Sequence, residues 1–392
     1  MDMGDTGGMP KETAPSAEAA SARDIRKTAI DPDFWYPVAA SRDVKQNRPF
    51  ATAFAGDPIV LFRGKGGQVF ALEDRCAHRQ VPLSNGVIDG DNLRCGYHGW
   101  AFDQTGRCVS LPYDKGSVPG PRGVKTYPCR ERYGLIFVFP GDAAKADSTP
   151  FPEIPAAENP AYKTRYLNRR ANCHYSFMHE NLMDMNHQFL HRKLMGSIKT
   201  LFLGASSGPN WAEAIYTFRR VGGHQHIGEK LILGRGGAFW KGDFWKTREA
   251  PADAPPPPDP ATCDRMVIRT DYPHQTLRFF TAGATEPALD LWICYIPVDR
   301  DQKINHTFGM IMIRRPGKRP WLIDAAWPGI IWFTNGIFAE DKWICELEQA
   351  AFDAQGEDRN QEVFPAIRNV RRVLVECGVG TPASPKACEE AV

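Results

Sequence analysis

The sequence contains few cysteines and no long hydrophobic run, and each absence excludes a class of protein. Ten cysteines among 392 residues are too few for a disulfide-stabilised scaffold. No segment approaches the ~18 uninterrupted apolar residues of a membrane helix; the best candidate, 321–333, is interrupted by Asp324 and Pro328. The first residues lack the apolar stretch of a secretory signal. We therefore expect a cytoplasmic protein with reduced thiols.

The sequence also has no excess of charge of either sign. Lys and Arg total 48 residues and Asp and Glu total 46, which gives a formal net charge of +2. This balance gives no reason to expect nucleic acid or an anionic membrane as the partner. We find no Gly-x-Gly-x-x-Gly fingerprint for a flavin or nicotinamide at a strand-to-helix turn. Glycine and proline, by contrast, are abundant at 35 and 32 residues, beside a hydrophobic share of 42%. Together these values predict many turns between short strands.

The composition changes along the chain and suggests two domains. Residues 1–28 are rich in Ala, Gly and Ser without periodicity, which predicts a disordered tail. Residues 29–145 show short apolar segments between glycine turns and predict an all-β domain. Residues 146–160, rich in Ala and Pro, are the expected linker, and 161–392 the second domain. Three helices are expected in that domain: 172–191, 342–355 and 361–377.

Two cysteine–histidine pairs lie close together in the first domain. One residue separates Cys76 from His78, two separate Cys95 from His98, and sixteen lie between the pairs. Zinc sites usually group cysteine with cysteine and histidine with histidine. One thiolate and one imidazole from each of two loops suit a 2Fe–2S cluster instead, in which one iron takes both sulfurs and the other both imidazoles. We therefore predict that these four residues hold such a cluster; a structural zinc site and a chance grouping are the alternatives.

A second group of polar residues follows in the second domain. Asn181, Asp184, His187 and His191 are spaced by three, three and four residues, so that on a helix they would lie within an arc of about 120°. Two histidines at i and i+4 can bind one metal, and with a carboxylate they form the facial site of mononuclear Fe(II) oxygenases. Asp184 is the nearest carboxylate. Asp341, expected at the start of a later helix, is the other candidate.

On these motifs the chain resembles the catalytic α-subunits of Rieske non-haem iron oxygenases, over roughly residues 30–375. It is most similar to the vanillate O-demethylase and carbazole dioxygenase side of that superfamily. The family's Asn-x2-Asp-x2-His run falls on Asn181, Asp184 and His187, and its distal carboxylate motif falls on 338–342. Many family members have four residues between the two histidines, whereas three separate His187 from His191. This difference bears on the subgroup to which the chain belongs more than on which residues bind the iron.

The resemblance implies an α+β fold and a set of residue roles. An all-β Rieske domain would precede an α+β catalytic domain in which an antiparallel sheet grips helices. Asp341 would be the third ligand of the mononuclear iron, beside His187 and His191. Asp184 would bridge the two metal centres, and Asn181 belongs to the same catalytic motif.

The resemblance also implies an activity and partners. A terminal oxygenase component would activate O2 at Fe(II), with electrons passing from NAD(P)H through a separate flavin reductase or ferredoxin to the cluster. We expect monooxygenation, by hydroxylation or dealkylation, of an aromatic or hydrophobic small molecule, and ring dihydroxylation is the alternative. A Rieske electron carrier or ligand-binding protein is the alternative from another class. Family members form head-to-tail trimers, so we expect a homotrimer without a small β-subunit.

The segment ahead of Asp341 contains many large side chains. Its members Trp327, Ile331, Trp332, Phe333 and Asn335 could form an apolar pocket wall with one polar anchor. We predict that Ile331, Trp332 and Asn335 bind the substrate. A buried core strand is the alternative for about half of the segment.

Overall fold

A computed structural model of the chain describes residues 24–113, 123–222, 263–317 and 319–380. These residues form an N-terminal all-β region and a C-terminal region that combines one large antiparallel sheet with helices, which confirms the predicted α+β class. The strands are β1 Thr28–Ala29, β2 Tyr36–Ala40, β3 Phe50–Phe54, β4 Asp57–Arg63, β5 Val69–Glu73, β6 Val87–Asp89, β7 Asn92–Arg94, β8 Ala101–Phe102, β9 Cys108–Ser110, β10 Thr126–Tyr127, β11 Cys129–Arg132, β12 Leu135–Val138, β13 Tyr162–Ala171, β14 Ser197–Ser207, β15 Trp211–Gly222, β16 Arg265–Asp271, β17 His274–Phe280, β18 Leu289–Pro297, β19 Asn305–Arg314 and β20 Val379–Gly380. The α-helices are α1 Pro155–Glu158, α2 Tyr175–Met183, α3 Arg192–Met195, α4 Trp321–Gln355 and α5 Pro365–Cys377.

Three small antiparallel sheets build the N-terminal region, in the orders β10-β5-β4-β3, β11-β12-β2 and β6-β7-β8-β9. The third sheet and the neighbouring β4 and β5 enclose a hydrophobic core of their own, which includes Phe62, Leu93 and Phe102. The loops that carry the two cysteine–histidine pairs flank strands of this third sheet. The predicted cluster site therefore has a separate apolar support.

The segment 146–160, expected to be a linker, is packed against both regions. Ala146 and Ile154 are buried, and the Phe151 ring lies 5.5 Å from Trp35 and 4.8 Å from Phe137 between centroids. Phe137 in turn lies 6.1 Å from Trp292 of the large sheet. Because one core continues across the segment, it is not a free spacer. The domain boundaries proposed from the sequence stay predictions.

A seven-stranded antiparallel sheet, in the order β13-β19-β18-β17-β16-β15-β14, forms the C-terminal region. Leu277, Leu291 and Ile311 are direct cross-strand partners on β17, β18 and β19, so their side chains share one face of the sheet. Helices α2, α4 and α5 pack against the sheet. A sheet that grips helices is the arrangement that the family resemblance implied.

Helix α4 is 35 residues long and begins about twenty residues earlier than expected. The apolar residues ahead of Asp341, for which a strand was the alternative, are part of it, and Pro328 lies within it. The helix ends at Gly356, whose positive φ of 77° and N–H bond to the Phe352 carbonyl at 2.8 Å terminate the last turn. Among the described residues, no helix has both the length and the apolarity to cross a bilayer.

The expected tail overlaps a structured segment at its C-terminal end. Ile25 is part of the core, and the buried Arg26 guanidinium pairs with Glu180 and donates to Ser176. Strand β1 pairs with β20 near the other end of the described chain. Residues 24–28 are therefore ordered because they bury a charge in an ion pair, whereas residues 1–23 lie outside the described part of the chain.

Candidate metal centres and substrate cavity

The two cysteine–histidine pairs lie in two loops, Cys76–Val81 and Cys95–Trp100, which share one hydrogen-bond pattern. In each loop the cysteine N–H donates to the carbonyl of the sixth residue, at 2.9 and 2.8 Å, and the fifth residue donates back to the cysteine carbonyl, at 2.9 and 3.1 Å. The fifth residue has positive φ in both loops, 60° at Gln80 and 73° at Gly99. Two equivalent turns therefore present one thiol and one imidazole each.

The four side chains of these loops divide into buried sulfur and more accessible nitrogen donors. Cys76 and Cys95 are buried, and burial raises the pKa of the Cys76 thiol to about 11. The His78 and His98 ring centroids lie 4.7 Å apart, and His78 stacks on Trp100 at 4.8 Å. A positive metal is needed to hold such buried thiolates. The set of two sulfurs and two imidazoles thus fits a Rieske 2Fe–2S cluster.

The second candidate site begins where helix α2 ends. We expected one helix through His191, but α2 stops at Met183, and Asp184 is extended, with φ −95° and ψ 96°. The Asp184 carboxylate accepts the N–H of Asn186 at 2.8 Å and so starts a 3-10 helix, Met185–Phe189. Short polar side chains compete with helical hydrogen bonds in this way, which explains the break.

Despite this break, three potential metal ligands converge. The His187 and His191 ring centroids lie 5.1 Å apart, and Asp341 reaches them from α4. Its Oδ1 lies 3.2 Å from His191 Nε2 and 3.8 Å from His187 Nε2. One ligand atom from each residue lies within 4.8 Å of the other two. Of the two carboxylates considered from the sequence, the structure thus places Asp341 beside both histidines.

Two further side chains hold this group of three. Asn181 Nδ2 donates to Asp341 Oδ1 at 3.0 Å, and Glu340 Oε2 lies 2.8 Å from His191 Nδ1. Burial lowers the pKa of His187, whereas hydrogen bonds and charges from Asp341 and Glu340 outweigh burial and raise that of His191. Burial would raise the pKa of Asp341, but the two histidines and Asn181 hold it below its usual value. An ionised Asp341 beside a neutral His187 suits metal binding.

An apolar cavity of about 200 Å³ opens beside the three ligands. The sheet contributes one or two apolar side chains from each of β14 to β19, and α4 covers the opposite side. The described wall is formed by Asn181, Leu182, Met185, His187, Gln188, His191, Met195, Gly196, Ile198, Phe218, Met266, Leu277, Leu289, Leu291, Ile311, Phe333, Thr334, Ile337, Phe338 and Asp341. A candidate metal site therefore lies at the edge of a cavity suited to an apolar molecule.

Comparison with known protein families identifies both regions. Residues 34–128 match the Rieske [2Fe-2S] domain, and residues 171–374 match the vanillate O-demethylase oxygenase C-terminal domain. The second match alone spans more than half of the chain. The chain belongs to the Rieske oxygenases of the vanillate O-demethylase type. It is therefore an oxidoreductase whose family uses a 2Fe–2S cluster and a mononuclear iron, and both donor sets described above fit these groups.

Individual relatives of this Rieske oxygenase support the same family assignment. It is 30% identical over 373 residues to the 4beta-methylsterol monooxygenase of Methylococcus capsulatus, covering 92% of this chain and 91% of that protein. It is 42% identical over 304 residues to a vanillate O-demethylase oxygenase subunit of Pseudomonas, covering 74% and 84%. Dicamba monooxygenase bound to dicamba has the same fold, with a TM-score of 0.67 and 23% identity over 89% of this chain and 97% of that one.

The predicted substrate residues of this Rieske oxygenase do not line the cavity, although Phe333 from the same segment does. Trp332 is 53% exposed on the outer side of α4. The Asn335 amide oxygen accepts from Arg165 and Arg169, and the Ile331 carbonyl accepts from Arg165 at 3.1 Å. The residues at the cavity recur with helical spacing: Phe333, Thr334, Ile337, Phe338 and Asp341. Substrate binding by Ile331, Trp332 and Asn335 stays a prediction, which was made without helical spacing for this segment.

Sequence reasoning also missed Glu340 and Gln188 as parts of the site. Glu340 lies within the motif at 338–342, and its carboxylate lies against the far nitrogen of His191. Its place next to Asp341 is the signal that could have shown this, since metal-bound histidines commonly have a carboxylate partner. Gln188 directly follows His187 and lines the cavity.

Proposed function

We propose that this chain is a terminal oxygenase that monooxygenates an aromatic or other hydrophobic small molecule. In this proposal Cys76 and Cys95 hold one iron of the cluster, and His78 and His98 hold the other. His187, His191 and Asp341 hold the mononuclear iron. When bound, these groups would supply electron transfer and reductive activation of O2. The observation that carries the proposal is the convergence of two imidazoles and one carboxylate at the edge of an apolar cavity.

The residues of the chain would orient the iron ligands and the substrate. Asn181 fixes the Asp341 carboxylate through its hydrogen bond, and Glu340 fixes the ring of His191. The apolar wall excludes water and positions a C–H bond of the substrate by shape. The named activities of the relatives, O-demethylation and monooxygenation, support hydroxylation or dealkylation ahead of ring dihydroxylation. An electron carrier without oxygenase activity would not need three intact ligands.

Electrons would come from NAD(P)H through a separate flavin reductase or ferredoxin. The absence of a dinucleotide fingerprint from the sequence supports a donor on another polypeptide. We keep the division into a Rieske domain at 29–145, a linker at 146–160 and a catalytic domain at 161–392 as part of this proposal. The cytoplasmic location stays a prediction.

A head-to-tail homotrimer would bring the cluster of one copy to the iron site of the next. Two large aromatic side chains support this, because Tyr97 beside His98 is 58% exposed and Phe189 near His187 is 71% exposed. Such residues are typical of surfaces that another chain covers. In this arrangement the second oxygen of Asp184 would accept the N–H of His98 from the neighbouring copy. Asp184 would then link the cluster to the iron site.

The activity can be tested with purified, iron-loaded protein, NADH and a flavin reductase in the presence of aromatic ethers. We expect formaldehyde from methyl ethers, and three irons per chain, two in the cluster and one in the mononuclear site. cis-Diols would indicate the dihydroxylase alternative. Two irons per chain and no product would contradict the oxygenase assignment and support an electron carrier.

A further inference from the structure

The wall of the cavity beside the iron ligands is mostly apolar, and this disfavours a negatively charged substrate. Thirteen of the twenty described residues that line it have apolar side chains, and none is Lys or Arg. The nearby guanidinium groups of Arg165 and Arg169 do not line the cavity, and they are bound by Asn335, the Ile331 carbonyl and the Thr334 hydroxyl. A carboxylate or sulfonate on the substrate would therefore be desolvated without a cationic partner from the described wall.

Apart from the two ligand histidines, the wall has three uncharged polar side chains, and two of these are held by hydrogen bonds within the protein. Asn181 donates through Nδ2 to Asp341 at 3.0 Å. The Thr334 hydroxyl donates to the Ile330 carbonyl at 2.8 Å and accepts from Arg165. These contacts orient the iron ligand and the helix, and they leave Gln188 as the third uncharged polar side chain.

The side-chain amide of Gln188 has a fixed orientation. Its Oε1 lies 2.8 Å from the backbone nitrogen of Thr200 and 2.8 Å from the Thr200 hydroxyl oxygen. A backbone N–H can only donate, so the amide oxygen and not the amide nitrogen must face Thr200. The Thr200 hydroxyl also contacts the Met185 carbonyl at 2.7 Å, which anchors Thr200 to the segment that carries His187. Among the described residues Gln188 Nε2 has no hydrogen-bond partner.

We infer that the cavity takes an uncharged, largely apolar molecule with one oxygen acceptor, such as a carbonyl, ether or hydroxyl, and that Gln188 Nε2 donates to this oxygen. The inference rests on the proposed oxygenase function and adds the substrate's charge and one contact. A single fixed donor in an apolar wall fixes the orientation of such a molecule, as is common in ligand cavities. Gln188 thereby determines specificity without binding the metal.

The test is calorimetric titration of anaerobic, iron-loaded protein with three ring compounds of similar size: cyclooctanone, cyclooctane and cyclooctanecarboxylate. We expect the ketone to bind at least about tenfold more tightly than the carboxylate. Gln188→Leu removes the donor and should weaken ketone binding by about tenfold, while hydrocarbon binding changes less than about twofold. Gln188→Glu keeps an acceptor for Thr200 but cannot donate when ionised, so it should weaken ketone binding equally.

Gln104→Leu, in an exposed turn of the N-terminal region, is the matched control and should leave all three affinities unchanged. Carboxylate binding as tight as ketone binding would overturn the inference. Unchanged ketone binding in both Gln188 variants would do the same, as would a failure of both neutral compounds to bind at millimolar concentration. Binding needs no turnover, so this result is separate from that of the oxygenase assay: loss of product formation with an intact ketone preference would contradict the oxygenase function alone.

Discussion

The two candidate metal centres are built in opposite ways. The cluster residues come from two loops, one between β5 and β6 and one between β7 and β8, and each loop is closed by its own backbone hydrogen bonds. The mononuclear site joins His187 and His191 to Asp341, and its supporting bond from Asn181 to Asp341 spans 160 positions. The first site therefore depends on local turns, and the second depends on how α4 packs over the large sheet. Substitutions should affect the two centres independently.

The largest effect is expected at Asp341. Among the described residues Asp341 is the only carboxylate beside both histidines, so Asp341→Ala should abolish mononuclear iron and turnover while visible cluster absorption stays. Iron analysis and absorption spectroscopy on the same sample check this. Asp324→Ala, an exposed change on the same helix, is the control. Full iron content and activity in Asp341→Ala would instead make Glu340 or Asp184 the third ligand.

The converse change is His78→Ala in the first centre. We expect loss of the visible cluster absorption and of reductase-driven turnover, with the mononuclear iron retained, because Cys76, Ala77 and Val81 of this loop belong to a hydrophobic core separate from that of the second site. Electron paramagnetic resonance of the reduced protein measures the cluster directly. His306→Ala, outside both centres, should leave both signals in place. Simultaneous loss of the cluster and of the mononuclear iron in His78→Ala would contradict the independence of the two sites.

A smaller effect is expected from Asp184→Asn, which tests the connection between the centres. Asparagine also caps helices, so it can keep the bond to the Asn186 N–H, but it removes the charge and replaces one acceptor oxygen with a donor. Cluster spectrum and iron content should persist. Oxidation of the prereduced cluster in one turnover should slow by about thirtyfold, the size of a lost hydrogen bond to a charged group. Wild-type kinetics in stopped-flow absorption would exclude the bridging role.

The smallest effect is expected from Glu340→Gln, because the amide can still accept from His191 but carries no charge. Iron affinity of the mononuclear site should fall by about tenfold, as is typical for the outer partner of a metal-bound histidine. Competition with an iron chelator measures it. Glu346→Gln, on the same helix, provides the control, and equal affinities in both variants would show that Glu340 does not position His191.

The sequence was sufficient for the features that depend on neighbouring residues. The spacing of Cys76, His78, Cys95 and His98 specifies two short loops, and the structure brings the His78 and His98 ring centroids to 4.7 Å from each other. The α+β class followed from the family resemblance. The ligand set His187, His191 and Asp341 also required that resemblance, because Asp184 and Asp341 were equal candidates from spacing alone.

Features set by tertiary packing could not be predicted in this way. The helix through His191 was expected to be continuous, but Asp184 caps a new turn at a position where periodicity alone predicts no break. The side of α4 that lines the cavity could not be predicted because a row of large apolar residues has no clear period until the helix is known to start at Trp321. Gln188 gains its fixed donor only through Thr200, which follows on β14.

The most direct test of the account is a single turnover of prereduced, iron-loaded protein with isotopically labelled O2 and a hydrophobic methyl ether. The formaldehyde product is reduced at once to methanol for mass spectrometry, because the oxygen from O2 leaves in formaldehyde and exchanges there with water. We predict that labelled oxygen enters the product, that cluster absorption returns to its oxidised form in the same reaction, and that Asp341→Ala gives neither product nor label. Oxidation of the cluster without labelled product, at the same rate in wild type and Asp341→Ala, would contradict the claim that the two centres act together as an oxygenase.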